Sequence, residues 1–114
     1  MSEEFLDFVE DILDAMDKVE LLLEGVSYEK FEADFRINFA VIRALEIIGE
    51  ASKRLPDTLR VRYSEIPWKG MAGMRDRIIH GYDNVDYQIV WDVVKKDIPM
   101  IKPLVQKVLS DYKE

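Results

Sequence analysis

The sequence predicts an all-α protein: an up-and-down bundle of four main helices, with one short additional helix between the second and third. Three observations carry this. Apolar residues recur at steps of three and four through most of the chain, which is the period of a helix face. Glycine, proline, serine and aspartate divide that pattern into segments of helical length. Strand signal is slight, and there is no internal repeat or low-complexity stretch.

The elements are taken in chain order. Phe5, Phe8, Ile12, Met16, Val19 and Leu23 mark the buried face of the first helix, with mostly Asp and Glu elsewhere. Gly25 suits its C-terminal stop, and Ser27 suits the N-cap of the next helical segment. Phe31 and Phe35 lead into the second helix, through Ile37, Val41, Leu45, Ile48, Ala51 and Leu55, which Pro56 ends. Gly49 lies inside this helix at a cost of about 1 kcal/mol against Ala, so a close helix crossing is expected there. Asp57 fits as the cap of a short helix running to Tyr63. "SEIPW" then breaks the chain, and Pro67 fits the first turn of the third main helix. Its apolar stripe is Trp68, Met71, Met74, Ile78 and Ile79, and Gly81 fits the residue just past its end. Asp83, Asn84 and Asp86 offer turn and N-cap chemistry. Val90, Val94, Ile98, Ile101, Val105 and Val108 carry the last helix; the spacing continues across Pro99 and Pro103, which predicts a kink rather than two helices.

The 114 residues suit one domain with one core, residues 1–114. With 48% hydrophobic and 34% charged residues the composition is that of a folded domain, not a disordered chain. No apolar run approaches the roughly 20 residues that cross a bilayer. The acidic start "MSEEFLDFVEDILD" lacks the basic segment of a signal or transit peptide. Without cysteine, disulfides and thiolate metal sites are excluded, and a cytoplasmic protein is expected.

Net charge is -7, which argues against nucleic-acid binding by the whole surface. From Ala51 to Tyr82, however, seven positive and three negative side chains give +4. Both solvated helix faces and an anionic ligand held near mid-chain fit that cluster.

Several chemistries are absent. No Glu-x-x-His pair offers a bundle metal centre, since the residue three before His80 is Arg77. There is no glycine-rich phosphate loop and no zinc-type histidine pair, so neither a metal nor a cofactor is expected. Glu4, Asp7, Asp11 and Asp14 read as a solvated face. A DNA-reading helix-turn-helix from Asp57 to His80 fits poorly, because its second helix is half apolar and the protein is acidic.

The remaining concentration of polar chemistry is "MRDRIIHGY", Met74 to Tyr82. Arg75 carries a permanent charge and a planar fork that grips phosphate. His80, the single histidine, can accept and donate a proton near neutral pH. Metal-free cleavage of an RNA phosphodiester needs those two services: proton transfer at an oxygen, and charge stabilisation on the five-coordinate phosphate. Spacing sets a difficulty, because on an ideal helix Arg75 and His80 lie about 140° apart. Either the helix unwinds at His80–Gly81, or two copies of the chain each contribute to one cleft. The same spacing also fits a capping histidine, interhelical ion pairs of Arg75 and Asp76, and a core tyrosine with a wet hydroxyl.

"RDRIIHGY" resembles the Arg-x-x-x-x-His-x-Tyr motif of the HepT-like toxins of the HEPN (higher eukaryotes and prokaryotes nucleotide-binding) superfamily. "AVIRALEIIGEASKRLP" is similar to that family's second-helix segment, and "IPWKGMAGMRDRIIHGY" with "VDYQIVWDVVKKDIP" to its motif helix and last helix. The resemblance spans nearly the whole chain. It implies a HEPN-type bundle acting as a metal-independent endoribonuclease, the toxin of a toxin–antitoxin pair. It further implies a homodimer with a composite cleft, with Arg75 and His80 catalytic and Asp76 supporting them. The implied partner is an MntA-like nucleotidyltransferase antitoxin that attaches AMP to the motif tyrosine, here Tyr82. A second reading is a non-catalytic HEPN bundle that binds a nucleotidyltransferase or a nucleotide.

Overall fold

The structure is a computed structural model that describes residues 5–82 and 84–112. Helix α1 spans Phe5–Leu23 and buries Val9, Ile12, Ala15, Met16, Val19 and Leu23, the face that the apolar spacing marks. The chain leaves it through Gly25, whose φ of 70° is left-handed backbone suited to glycine. Lys95 Nζ donates to the Leu23 carbonyl at 3.3 Å, satisfying one of the free acceptors at this helix end.

The apolar pattern of residues 28–55 reads as continuous, but the chain breaks at Asp34. Helix α2 is Tyr28–Ala33, and helix α3 is Phe35–Lys53. Ser27 caps α2 by accepting from Lys30 N, as its position predicts. Asp34 caps α3 by accepting from Arg36 N at 3.0 Å, and its side chain also takes the Arg36 guanidinium. Buried Asn38 donates to the carbonyls of Phe31 and Glu32, tying the end of α2 to the start of α3. An apolar period continues unchanged through such a corner, so periodicity alone does not reveal it.

Helix α4 is Asp57–Arg62. Pro56, not Asp57, stands at the cap position, and no side chain caps this helix. Tyr63 closes it, and its hydroxyl donates to Asp111 Oδ2 at 2.8 Å. Burial, with help from that bond, pushes the Tyr63 hydroxyl up to about 12. Trp68 Nε1 donates to the Tyr63 carbonyl at 3.0 Å, which holds the next segment against α4.

The third main helix departs most from expectation. Helix α5 covers Trp68–Ala72, Gly73 interrupts it, and helix α6 covers only Met74–Ile78. The Ile78 carbonyl accepts from Asp86 N at 2.8 Å, and Ile79 is extended and bridges Val85 in antiparallel fashion. A partner from across the loop thus ends the helix two residues before His80. Gly81 does not cap a helix; with φ 97° it belongs to loop 79–85. The turn reading of Asp83 lies outside the described residues.

Helix α7 runs Tyr87–Asp92, capped by Asp86, which accepts from Ile89 N at 3.0 Å. A π-helical turn over Val93–Asp97 joins it without a gap to helix α8, Ile98–Tyr112. The last element is therefore one continuous helical run, as predicted, and the local irregularity is a π turn just before Pro99. Proline cannot donate backward, and its ring crowds the carbonyl four residues earlier; a wider turn relieves both.

The result is an all-α bundle. Helix α1 packs along α3 and against α8, while α3 also carries α2, α5 and α6. Gly49 sits at the predicted close crossing: a Cβ there would lie 3.2 Å from the Met71 carbonyl oxygen and 3.4 Å from Met74 Cβ. At the other end Phe31 is fully buried, with Tyr87 and Trp91 rings at 5.9 and 5.6 Å. No helix of the described residues is long and apolar enough to cross a membrane.

Candidate active site

The motif residues divide between a short helix and the loop after it. Arg75 and Asp76 are exposed on α6, which is held down by Met74 and Ile78 in the core. His80 and Tyr82 stand on loop 79–85, both exposed, and the Tyr82 side chain is open to solvent over 99% of its surface. That loop is fastened at its base by backbone hydrogen bonds and by Ile79 and Val85, which pack against the core. His80 N donates to the Asn84 carbonyl at 2.7 Å, beside the Ile79–Val85 bridge and the Asp86–Ile78 bond.

Because the chain leaves helical geometry at Ile78, the angular separation of an ideal helix does not apply to His80. Of the two remedies that the spacing left open, the chain does unwind, two residues earlier than His80–Gly81 would place it. Among the described residues, no hydrogen bond or ion pair joins Arg75 to His80, and the side chains of Asp76, His80 and Tyr82 make none. The structure thus brings His80 and Tyr82 onto one loop, next in sequence to the helix of Arg75, on an open surface. A core position for Tyr82 is excluded, as is an interhelical ion pair for Asp76.

Arg75 does make the interhelical ion pair that the spacing also fitted, with a partner that the sequence reading did not name. Its Nε donates to Glu46 Oε2 of α3 at 3.3 Å. The available signal was position: Glu46 stands one turn before Gly49, the residue that marked a close crossing with the motif segment. Arg77 points elsewhere, pairing with Asp97 of the π turn at 3.4 Å. A cleft of about 420 Å³ lies on that side, lined by Met71, Met74, Arg77, Asp97, Met100 and Leu104 among others, and Arg75, His80 and Tyr82 take no part in it.

The basic cluster of residues 51–82 resolves into separate structural tasks. Arg54 lies over the Phe8 ring, Arg60 donates to the Ser52 carbonyl at 2.7 Å, and Arg62 donates to the Tyr112 hydroxyl at 3.0 Å. Lys53 pairs with Glu50. Arg75 is the arginine of this cluster that lies in the motif with an anchor on α3 and an exposed side chain. Among the described residues no group of three or more histidine or acidic side chains is gathered as a metal site requires.

A helical bundle with an arginine on a short helix, and a histidine and a tyrosine on the loop just beyond it, defines a class by fold and motif together. The chain belongs to the ribonuclease HepT-like family, whose model matches residues 12–108. It is 44% identical over 108 residues to a protein of Thermococcus cleftensis named "Probable ribonuclease HepT", covering 95% of this chain and 98% of that one. It is 45% identical over 107 residues to the provisionally named RNase MJ0125 of Methanocaldococcus jannaschii, covering 94% and 92%. A provisionally named RNase of Caldanaerobacter subterraneus is 41% identical over 106 residues, covering 93% and 95%. No solved structure matches the chain.

Proposed function

We propose that this protein is a metal-independent endoribonuclease and the toxin of a toxin–antitoxin pair, working in the cytoplasm. The observation that carries the reading is an exposed arginine on α6 followed by an exposed histidine on the adjoining loop. The ribonuclease names of full-length relatives support it. An open surface, rather than a closed pocket, suits a polymeric substrate.

In this reading Arg75 holds the scissile phosphate and offsets the charge that builds as the 2′-oxygen attacks. His80 moves the proton of the 2′-hydroxyl or of the departing oxygen. Asp76 helps orient the pair. Two copies of the chain share one cleft, each contributing its motif. A nucleotidyltransferase antitoxin switches the enzyme off at Tyr82: the phenol oxygen attacks the α-phosphorus of ATP, pyrophosphate leaves, and the phenol proton passes to solvent or base. The added AMP sets a negative phosphate and a bulky base beside Arg75 and His80, where they compete with RNA. The almost complete exposure of Tyr82 suits a hydroxyl that a second enzyme must reach.

The test is cleavage of RNA by the purified protein in the presence of a chelator. Arg75→Ala and His80→Ala each lower the rate by at least ~100-fold. Variants that cut as fast as the parent overturn the roles. Incubation with the cognate nucleotidyltransferase and ATP adds the mass of AMP to the parent and not to Tyr82→Phe, which itself still cuts RNA.

A further inference from the structure

Arg75 is a long side chain on a helix of five residues, behind a glycine break, with 61% of its side-chain surface exposed. A guanidinium so placed samples many rotamers unless something holds it, and that freedom must be given up each time it grips a phosphate. Glu46 answers that need. It projects from α3, a helix of 19 residues, with its own side chain only 25% exposed. It lies one turn before Gly49, where the Met71 carbonyl approaches α3 so closely that a Cβ would lie 3.2 Å away. The distance between the anchor and the backbone of the motif segment is therefore set by a close approach of the two elements.

The contact uses a particular edge of the guanidinium. Glu46 takes Nε at 3.3 Å, and among the described residues Nη1 and Nη2 have no partner. A carboxylate on the Nε side leaves the terminal pair of nitrogens, the fork that matches two oxygens of a phosphate. We infer that Glu46 is a positioning residue: it holds Arg75 by Nε so that its terminal fork is presented to the scissile phosphate of RNA. This rests on the ribonuclease reading above and adds to it a residue on a different helix.

The inference separates from a merely structural role. An exposed ion pair contributes little to stability, so losing it leaves the melting temperature nearly unchanged. Losing the aim of Arg75 slows the chemical step. Glu46→Ala is expected to lower kcat by about tenfold without raising KM, since removal of a negative charge does not weaken RNA binding. Glu46→Gln keeps an acceptor oxygen for Nε and is expected to restore kcat to within about threefold of the parent. In an Arg75→Ala background, Glu46→Ala is expected to have no further effect, because the two act as one unit.

The experiment measures kcat, KM and melting temperature for these four proteins and the parent, with the hydrogen-exchange rate of the Arg75 Nε–H read by NMR. Slow exchange in the parent and fast exchange in Glu46→Ala, together with the kcat pattern above, support the inference. A Glu46→Ala variant as active as the parent or more active, an additive double variant, or fast Nε–H exchange in the parent overturns it. A parent with slow exchange that cuts no RNA overturns the ribonuclease reading instead, and Glu46's positioning role in RNA cleavage falls with it.

Discussion

At the scale of single residues, Asp34 gives the clearest physical signature outside the active site. Its hydrogen bond from the Arg36 side chain, reinforced by the Arg36 backbone N–H and by Lys30, holds its carboxyl at about 2, below the usual 3.8. A carboxyl depressed by folding contributes stability above its unfolded value and loses that contribution as pH falls through the folded one. Asp34→Asn keeps the capping geometry and removes the charge. Thermal melts should find Asp34→Asn less stable than the parent at neutral pH, with the two curves converging between pH 3.8 and about 2. The difference should also shrink with added salt, because Arg36 is exposed. Residue chemistry was legible in the sequence where it is intrinsic to the side chain: an arginine, a histidine and a tyrosine in one short motif announce what they can do. Glu46 was not, because its importance comes from a partner 29 positions away. Nothing local to "ALEIIGE" says which neighbour the carboxylate meets.

At the scale of elements, the faces were readable and the breaks were not. The buried stripes of α1 and α8 match the apolar period, and Gly49 foretold its own crossing. The corner at Asp34 and the end of α6 at Ile78 depend on which backbone groups find partners outside the helix. Those partners, such as Asp86 N for the Ile78 carbonyl, are assigned only when the chain is folded. Gly49 therefore makes a sharp test of how the elements position the site. Ala in a helix gains about 1 kcal/mol of propensity over Gly, yet a larger side chain here meets backbone oxygen and cannot be accommodated by a flexible tip. Gly49→Val should destabilise the fold by about 1–3 kcal/mol in chemical denaturation and lower RNA cleavage as well, because α5 and α6 must move away from Glu46. Normal cleavage in a folded Gly49→Val protein would show that the approach of α3 to the motif segment is irrelevant to activity.

At the scale of the whole molecule, the all-α class was the most secure part of the sequence reading, since many independent segments repeat the same period. The basic middle segment misleads by comparison, because Lys53, Arg54, Arg60 and Arg62 of it are engaged with internal partners. A shared cleft between two copies makes a direct prediction. Arg75→Ala and His80→Ala are each expected to be at least ~100-fold slower alone. If one copy supplies the arginine and the other the histidine of each catalytic pair, mixing the two under exchange conditions rebuilds one of the two pairs in the shared cleft of each mixed dimer. Activity should then return to about a quarter of the parent, given random pairing of two equal pools. No recovery would mean that each Arg–His pair comes from one chain.

Gly81 has a consequence for how such a protein can change. A side chain at Gly81 would meet none of the described residues within 4 Å, so the demand for glycine is a demand on one torsion, φ 97°. That torsion lies between His80 and Tyr82 and sets the direction of both. If Tyr82 is modified as proposed, mutations that reshape this loop to escape modification would redirect the histidine in the same stroke. Escape variants selected from a random library should therefore collect at the tyrosine itself or in the modifying enzyme, while the glycine beside it stays fixed.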